Sequence, residues 1–237
     1  MLVKPIKTRI FQEGESLLDF IHQYIKKLPE KSVLIVTSKI VALAEKRTAS
    51  ITNEKEREQL IRAESQMAAP TNTKHVWLTI KDGMVMASAG IDESNANDKL
   101  ILLPKNSYKT AAYLQTQLRK KIKIKNLGVL ITDSRVMPLR AGVTAVALGY
   151  AGFRGLKSYI GTPDIFGKKF VFSTTNIADS LATAAVLTMG EGKEQQPLAI
   201  IQNVPIEFCK KINPRELLID VRKDLYMPVF KKLSKQK

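Results

Sequence analysis

The chain has 237 residues, of which 44% are hydrophobic and 25% are charged, as is typical of a globular protein long enough to bury a core. It holds no run of eighteen apolar residues that could span a membrane, and Met1–Pro5 lacks the apolar core of a signal peptide. The one cysteine, Cys209, cannot form an internal disulfide, and with His22 and His75 it offers no zinc-ligand spacing. We therefore expect a cytoplasmic protein that has no membrane partner.

The formal net charge is +16, from 38 Lys and Arg against 22 Asp and Glu, which favours anionic partners such as nucleotides. Much of the excess lies in residues 119–125 and in the basic tail, residues 222–237. Neither run interleaves aromatic side chains in the manner of a base-stacking surface. The pattern therefore favours a solvated basic face and disfavours nucleic acid as the partner.

The first half of the chain is predicted to form a strand, two helices and a hairpin, at residues 33–36, 40–44, 54–69 and 76–89. The β-branched run at 33–36 is typical of a buried strand. Helix formers fill residues 54–69 and stop at Pro70. Asp82 and Gly83 suit the positive φ angles of a tight turn, so they predict the hairpin.

The second half is predicted to alternate strands and helices, at residues 100–103, 107–121, 127–132, 142–150, 167–172, 177–189 and 197–201. Ser107 is the expected cap of the first of these helices, and Asp133 is expected to follow directly after its strand. Strands and helices do not alternate strictly as βαβ units, which predicts an α+β fold with mostly antiparallel pairing. The length allows one large domain or two small intertwined ones.

Two carboxylates each follow an apolar run. Asp92 lies in AGIDESN (89–95), and Asp133 lies in LITDS (130–134). A carboxylate at the mouth of a strand, backed by further oxygen ligands, is how hard cations are held next to phosphates. The pair therefore predicts a magnesium or manganese site, with two ions bridging the phosphates of a nucleotide. The alternative is that both residues only form turns, which is a common role of aspartate.

Further oxygen ligands accompany these carboxylates. Ser134 could add its hydroxyl to a metal, and Asn95 could hold the base or ribose of a nucleotide. Glu191 stands between Gly190 and Gly192, where it is either a third metal ligand or a solvent-exposed turn acid. The two glycines are assigned to the cofactor-binding turn.

Ser38 and Lys39 follow the first predicted strand. A lysine there could meet a phosphate as a point charge, although a surface lysine would need no such role. Arg140 could clamp a carboxylate or phosphate bidentately. The chain shows no Ser-His-Asp arrangement, and Cys209 has no nearby partner in sequence that would activate it as a nucleophile.

In chain order these segments resemble the coenzyme F420-0:L-glutamate ligase family. The matching stretches are VLIVTSKIVALAE (33–45), AGIDESN (89–95), LILLP (100–104), GVLITDS (128–134), RAGVTAVALGYAG (140–152), GTPDIFG (161–167) and IADSLATAAVLTMGEG (177–192). The combination covers about residues 33 to 201 and is specific in its order, although each motif alone is weak. No comparable match covers the basic tail.

The resemblance implies a single domain of the family type over residues 1–237, with an α+β fold that forms an intertwined homodimer. It also implies an enzyme that uses GTP and divalent metal to join the amine of L-glutamate to a substrate carboxylate through an acyl phosphate. The implied catalytic residues are Asp92 and Asp133, which are also the implied metal ligands together with Ser134 and Glu191. The implied nucleotide-contacting residues are Ser38, Lys39 and Asn95.

The chain departs from the family pattern at several positions. Leu43 and Lys46 replace the usual lysine and glycine, Arg135–Met137 replaces a glycine-arginine pair, and Leu139 replaces a tryptophan. The acceptor is therefore open between a deazaflavin precursor and a pterin-type (folate or pteroate) carboxylate, and the nucleotide between GTP and ATP. The competing hypothesis is a catalytically weakened protein that binds nucleotides or polyanions.

Overall fold

The structure is a computed structural model that describes residues 1–228 of the chain. The chain divides into two compact units. The first comprises Met1–Thr48 and Leu103–Glu216, and the second comprises Ala49–Leu102 and the residues from Leu217 onwards. Each unit therefore joins segments that are distant in the sequence.

Strands and helices are mixed along the described residues, as the predicted α+β class requires. The strands are β1 (Leu2–Ile6), β2 (Ser32–Thr37), β3 (Thr48–Ala49), β4 (Met67–Pro70), β5 (Trp77–Lys81), β6 (Met84–Ala87), β7 (Leu100–Ile101), β8 (Leu127–Val136), β9 (Val143–Ala151), β10 (Leu156–Ser158), β11 (Thr174–Asn176) and β12 (Leu198–Gln202). The α helices are α1 (Leu17–Tyr24), α2 (Ser38–Ala44), α3 (Glu54–Ala63), α4 (Ser107–Ile122) and α5 (Ile177–Met189). Within residues 1–228, no helix is both long enough and apolar enough to cross a membrane.

The first unit is built on a five-stranded sheet in the order β1-β12-β2-β8-β9. Strands β2 and β8 run parallel, while the other neighbours are antiparallel. The residues Val33–Val36 of β2 are fully buried, as expected of a central strand covered on both faces. Helix α4 packs on β8 and β9, and α5 packs on β1, β9 and β12. The sheet is thus mixed, with one parallel pair that the sequence did not predict.

The second unit contains the antiparallel sheet β4-β5-β6. Asp82 and Gly83 connect β5 to β6 with φ angles of 51° and 77°, so the predicted hairpin is confirmed. Helix α3 begins after Asn53, whose side chain accepts a hydrogen bond from the Glu56 amide at 3.0 Å. This cap satisfies one of the amides that a helix start leaves without a partner.

Three local predictions are wrong. The helix predicted over residues 54–69 ends at Ala63, because Met67–Pro70 pairs with β5 as a strand. Residues 167–172 form no strand and lie between β10 and β11. The cap of α4 is Asn106 rather than Ser107, since the Asn106 side chain accepts from the Lys109 amide at 2.9 Å. The part of the basic tail beyond residue 228 lies outside the described residues.

Candidate functional site

Two predicted residues meet where β2 ends. Thr37 pairs with Thr132 in the parallel register of β2 and β8, so the residues that follow reach the same edge of the sheet. There the Ser38 Oγ donates a hydrogen bond to Asp133 Oδ1 at 3.0 Å. Ser38 is buried at the first position of α2, and this burial fixes the direction of its hydroxyl. The pairing of distant strands therefore orients the Asp133 carboxylate.

Strand β8 does not end at Asp133, as the sequence suggested, but continues alongside β9 to Val136. Its register against β9 shifts between Ile131 and Thr132, which leaves Leu148 as an extra residue in β9. Such a bulge bends the strand and re-aims the neighbouring side chains. The shift lies one residue before Asp133, so it helps to set the direction of that carboxylate.

Arg135 also contacts Asp133, and the site prediction missed it. It lies two residues after Asp133 in β8, and residues at that spacing share one face of a strand. Its Nη1 donates to Asp133 Oδ2 and, at 2.8 Å, to the carbonyl oxygen of Ser134. The side chain is 7% exposed. The sequence signal was an arginine at i+2 from a strand carboxylate, which is too common to identify a site.

Ser134, the next residue of β8, makes a separate contact with Glu191. The Ser134 Oγ donates to Glu191 Oε1 at 2.5 Å. Glu191 follows the end of α5, where Gly190 has a φ of 83° and donates its amide to the Val186 carbonyl at 2.9 Å. Only glycine adopts that φ at little cost. The helix-end turn thus brings an exposed carboxylate to the hydroxyl of a central strand.

Helix α5 is held against β9 by side chains near its start. Asp179 Oδ1 accepts from the Ala147 amide at 2.8 Å, and Asp179 Oδ2 accepts from Asn176 Nδ2 at 2.7 Å. Burial raises the pKa of the Asp179 carboxyl, while the Ala147 and Asn176 hydrogen bonds oppose that rise. Thr183 adds a bond from Oγ1 to the Ala145 carbonyl at 2.9 Å. Asp179 therefore fixes the start of α5, the helix that Glu191 follows.

Asp92 belongs to the second unit, in the loop that follows β6. Its backbone exchanges two hydrogen bonds with Ile101, at 2.9 and 2.8 Å. Its side chain accepts from the Ser94 amide at 2.7 Å and from the Ser94 hydroxyl at 3.0 Å. This is the turn geometry that the alternative interpretation predicted, and it also holds the carboxylate in one orientation. A metal-binding role for Asp92, and its meeting with Asp133, stay predictions.

The remaining predicted residues are placed but not tested in their roles. Lys39 is the second residue of α2 and is half-buried. Asn95 is exposed, with a φ of 53°. Gly192 donates its amide to Glu194 Oε2 at 2.8 Å, so this glycine has a local structural role in the turn after α5.

The candidate metal-binding side chains of the first unit would all bind an ion through oxygen atoms. Asp133 and Glu191 supply carboxylates, and Ser38 and Ser134 supply the hydroxyls bonded to them. Oxygen ligands of this kind suit magnesium or manganese. Across residues 1–228, however, no group of three or more His, Cys, Asp or Glu side chains is arranged to hold a metal ion.

Comparison with known proteins identifies the family. The F420-0:Gamma-glutamyl ligase family matches residues 5–203 of the chain. A coenzyme F420:L-glutamate ligase of Methanococcus maripaludis (strain C7) is 34% identical over 212 residues, covering 83% of this chain and 84% of the relative. Ligases of the same name from Methanopyrus kandleri and Methanosarcina mazei are 32% and 30% identical, covering 69% and 86% of this chain and 65% and 85% of those relatives. The chain belongs to the F420-0:Gamma-glutamyl ligase family.

Proposed function

We propose that this chain is an enzyme that ligates L-glutamate, through its amine, to the carboxylate of an anionic small molecule, with GTP or ATP as the energy source. The observation that carries the proposal is two hydrogen-bonded pairs at consecutive residues of β8, Ser38 with Asp133 and Ser134 with Glu191, in a chain of this family. The relatives are named as coenzyme F420:L-glutamate ligases, which supports a deazaflavin acceptor. A pterin-type carboxylate is the second acceptor to test.

The chemistry we propose has two steps. In the first, an oxygen of the acceptor carboxylate attacks the γ-phosphorus, the bond to the bridging oxygen breaks, and a nucleoside diphosphate leaves. In the second, the glutamate amine attacks the acyl carbon, the carbon–oxygen bond to phosphate breaks, and the amine releases a proton. Every reactant is an anion, so the site must supply positive charge that is already in place when the reactants meet.

Carboxylate and hydroxyl oxygens suit a hard divalent cation, and we propose that Asp133, Ser134 and Glu191 would hold it. When bound, such a cation would neutralise charge on the nucleotide phosphates. Ser38 would act by orienting Asp133 through the 3.0 Å hydrogen bond to Oδ1. Asp92 keeps its predicted role as a metal ligand, and two ions remain the expected number.

The nucleotide is expected at the start of α2. Lys39 is placed in the first turn of that helix, where its ammonium could meet a phosphate. Asn95 would contact the base or the ribose, and Gly190 and Gly192 would form the turn beside the nucleotide.

We also propose that the chain forms a homodimer. The segment between β10 and β11 exposes a run of large apolar side chains, and apolar clusters of this kind mark association surfaces. These residues are Ile160, Ile165, Phe166, Val171 and Phe172, which are 57–91% exposed. Light scattering after size-exclusion chromatography should give twice the chain mass, and the double variant Phe166→Ser/Phe172→Ser should shift the protein toward the monomer. A wild-type monomer at micromolar concentration would contradict this.

The function is tested by a ligation assay. The protein is incubated with L-glutamate, Mg²⁺ or Mn²⁺, GTP or ATP, and either a deazaflavin precursor or a pteroate as acceptor, and products are read by mass spectrometry. The proposal expects an acceptor heavier by one or more glutamyl residues, with phosphate released only when acceptor, glutamate and metal are all present. Absence of product in every combination would refute it.

One observation favours the competing function of a weakened nucleotide-binding protein. The Asp133 carboxylate is paired with Arg135, and an arginine there lowers the negative charge left to attract a metal ion. Such a protein would bind GTP or ATP but release no phosphate under any combination of substrates. The same assay therefore separates the two functions.

A further inference from the structure

Arg135 combines burial with hydrogen-bond donors that have no partner. Its side chain is 7% exposed. Its Nε and Nη2 are buried, and neither donates a hydrogen bond to any group among residues 1–228. Nearly all buried polar groups in folded proteins are paired, so an exception requires an explanation.

The third nitrogen is fully engaged, and it fixes the guanidinium. Nη1 donates both to Asp133 Oδ2 and to the Ser134 carbonyl, the latter at 2.8 Å. Asp133 is itself held by the Ser38 hydroxyl at 3.0 Å. These contacts keep the Arg135 guanidinium from rotating freely. The direction of its Nε and Nη2 is therefore set by the fold.

Nε and Nη2 together form one complete edge of the guanidinium fork. Their two N–H bonds are nearly parallel, and their spacing matches two oxygens of one carboxylate or phosphate. A single water or carbonyl oxygen can accept from both, but it meets each N–H at a less linear angle than two separate oxygens do. The chemistry that best completes this edge is therefore a planar or tetrahedral anion with two oxygens on one atom.

We propose that Arg135 is an anion-binding residue of the candidate site, whose Nε–Nη2 edge takes two oxygens of a substrate carboxylate or phosphate. The inference rests on the proposed function, because glutamate, the acceptor and the nucleotide each carry such a group. Asp133 then has two tasks, since one of its oxygens anchors this arginine. Arg135 is thus a specificity-determining residue that lies within the segment where the chain departs from the family pattern.

The test compares Arg135→Lys and Arg135→Gln with the wild-type protein. Lysine keeps a positive charge beside Asp133 but has no fork, so a purely structural ion pair would survive this change. The matched control is Arg154→Lys, because the Arg154 side chain also faces a carboxylate, that of Glu207 at 3.4 Å, but is 49% exposed. Calorimetry measures the affinities for GTP, ATP, L-glutamate and each acceptor, with Mn²⁺ and with chelator. Thermal unfolding measures the stability of every variant.

In both Arg135 variants, we expect the affinity for at least one probe to fall about tenfold or more, as loss of a charge-assisted contact does. A loss confined to the nucleotides assigns the edge to a phosphate, and a loss confined to glutamate or an acceptor assigns it to a carboxylate. The Arg154→Lys variant should bind every probe as the wild type does. Unchanged affinities in a folded Arg135→Lys variant would overturn the proposal, as would a wild type that binds none of the probes.

A second measurement does not depend on the folding of the variants. In the NMR spectrum of ¹⁵N-labelled wild-type protein, the Nε–H signal of Arg135 should shift when a probe that binds in the calorimetry experiment is added. No shift at saturation with that probe would overturn the proposal. The ligase function and the anion-binding role of Arg135 can be refuted independently of each other. Wild-type binding that requires Arg135, without any ligated product, would refute the proposed function alone. Ligation with unchanged affinities in Arg135→Lys would refute the anion-binding role alone.

Discussion

The Ser38 hydroxyl donates a hydrogen bond to Asp133 Oδ1 at 3.0 Å, although 95 positions separate the two residues in the sequence. The contact exists because β2 and β8 run parallel in register, which places the residue after one strand beside the continuing residue of the other. It is the point at which two separately predicted residues become one local site.

Replacing Ser38 by alanine should weaken the site without unfolding the protein. The variant removes the donor that orients Asp133, so we expect the affinity for Mn²⁺-GTP to fall roughly three- to tenfold and the free energy of unfolding by about 0.5–1.5 kcal/mol. Calorimetry and urea unfolding measure the two effects. The control is Thr116→Ala, whose hydroxyl bonds the Ala112 carbonyl at 2.8 Å on the exposed side of α4. Equal effects in both variants would count against an orienting role.

The variant Asp133→Asn should abolish metal-dependent nucleotide binding, because the amide removes the charge that attracts a divalent ion. It also deprives buried Arg135 of its ionic partner, so we expect a loss of about 1–3 kcal/mol in the free energy of unfolding. The double variant Asp133→Asn/Arg135→Gln should recover stability but not binding. Asp98→Asn, an exposed acid of the second unit, serves as the control.

Asp92→Asn should also abolish metal-dependent nucleotide binding, if Asp92 is a metal ligand. Asparagine Oδ1 can still accept from the Ser94 amide, a bond seen at 2.7 Å, and its Nδ2 can donate to the Ser94 hydroxyl, which donates to Asp92 at 3.0 Å in the wild type. The turn should therefore persist, and thermal stability should change little. Metal affinity is measured by titration with Mn²⁺. Unchanged affinity in this variant would leave Asp92 with the role of a turn residue.

Glu191→Gln tests the contact at the end of α5. Glutamine keeps an oxygen that can accept from Ser134 but removes the charge, so we expect metal affinity to fall about tenfold, while the unfolding free energy changes by less than about 0.5 kcal/mol. Glu194→Gln is the matched control, since Glu194 lies in the same exposed turn and accepts from the Gly192 amide at 2.8 Å. A control variant that loses as much affinity would show that the turn, and not the Glu191 carboxylate, matters.

Alkaline pH should destabilise the protein through Tyr108. Burial raises the pKa of Tyr108 from 10.0 to about 12. The folded state therefore favours the neutral phenol, so this contribution to stability is complete below about pH 10 and is lost as the pH rises through about 12. Unfolding free energies of wild type and Tyr108→Phe, measured from pH 8 to 12, should differ in slope in this window. Parallel curves would contradict the prediction.

Local chemistry explains which elements were predictable. Asp82 and Gly83 specify their hairpin because the positive φ angles depend on those two residues alone. Helix α5 (Ile177–Met189) has the bounds that the sequence predicted, because glycine at position 190 ends it. The helix predicted over residues 54–69 stopped at Ala63 because pairing of Met67–Pro70 with β5 overrode helix propensity.

By itself, the sequence determined the α+β class, the family motifs and the candidates Asp133, Ser134 and Glu191, since residue type and short spacing carry that information. Only the tertiary structure decided that Ser38 bonds Asp133, that Ser134 bonds Glu191, and that a buried Arg135 shares the Asp133 carboxylate. The physical reason is that these contacts depend on the register of strands and on a helix end that are far apart in the chain. Side-chain chemistry can name the partners of a site, but strand pairing chooses which of them meet.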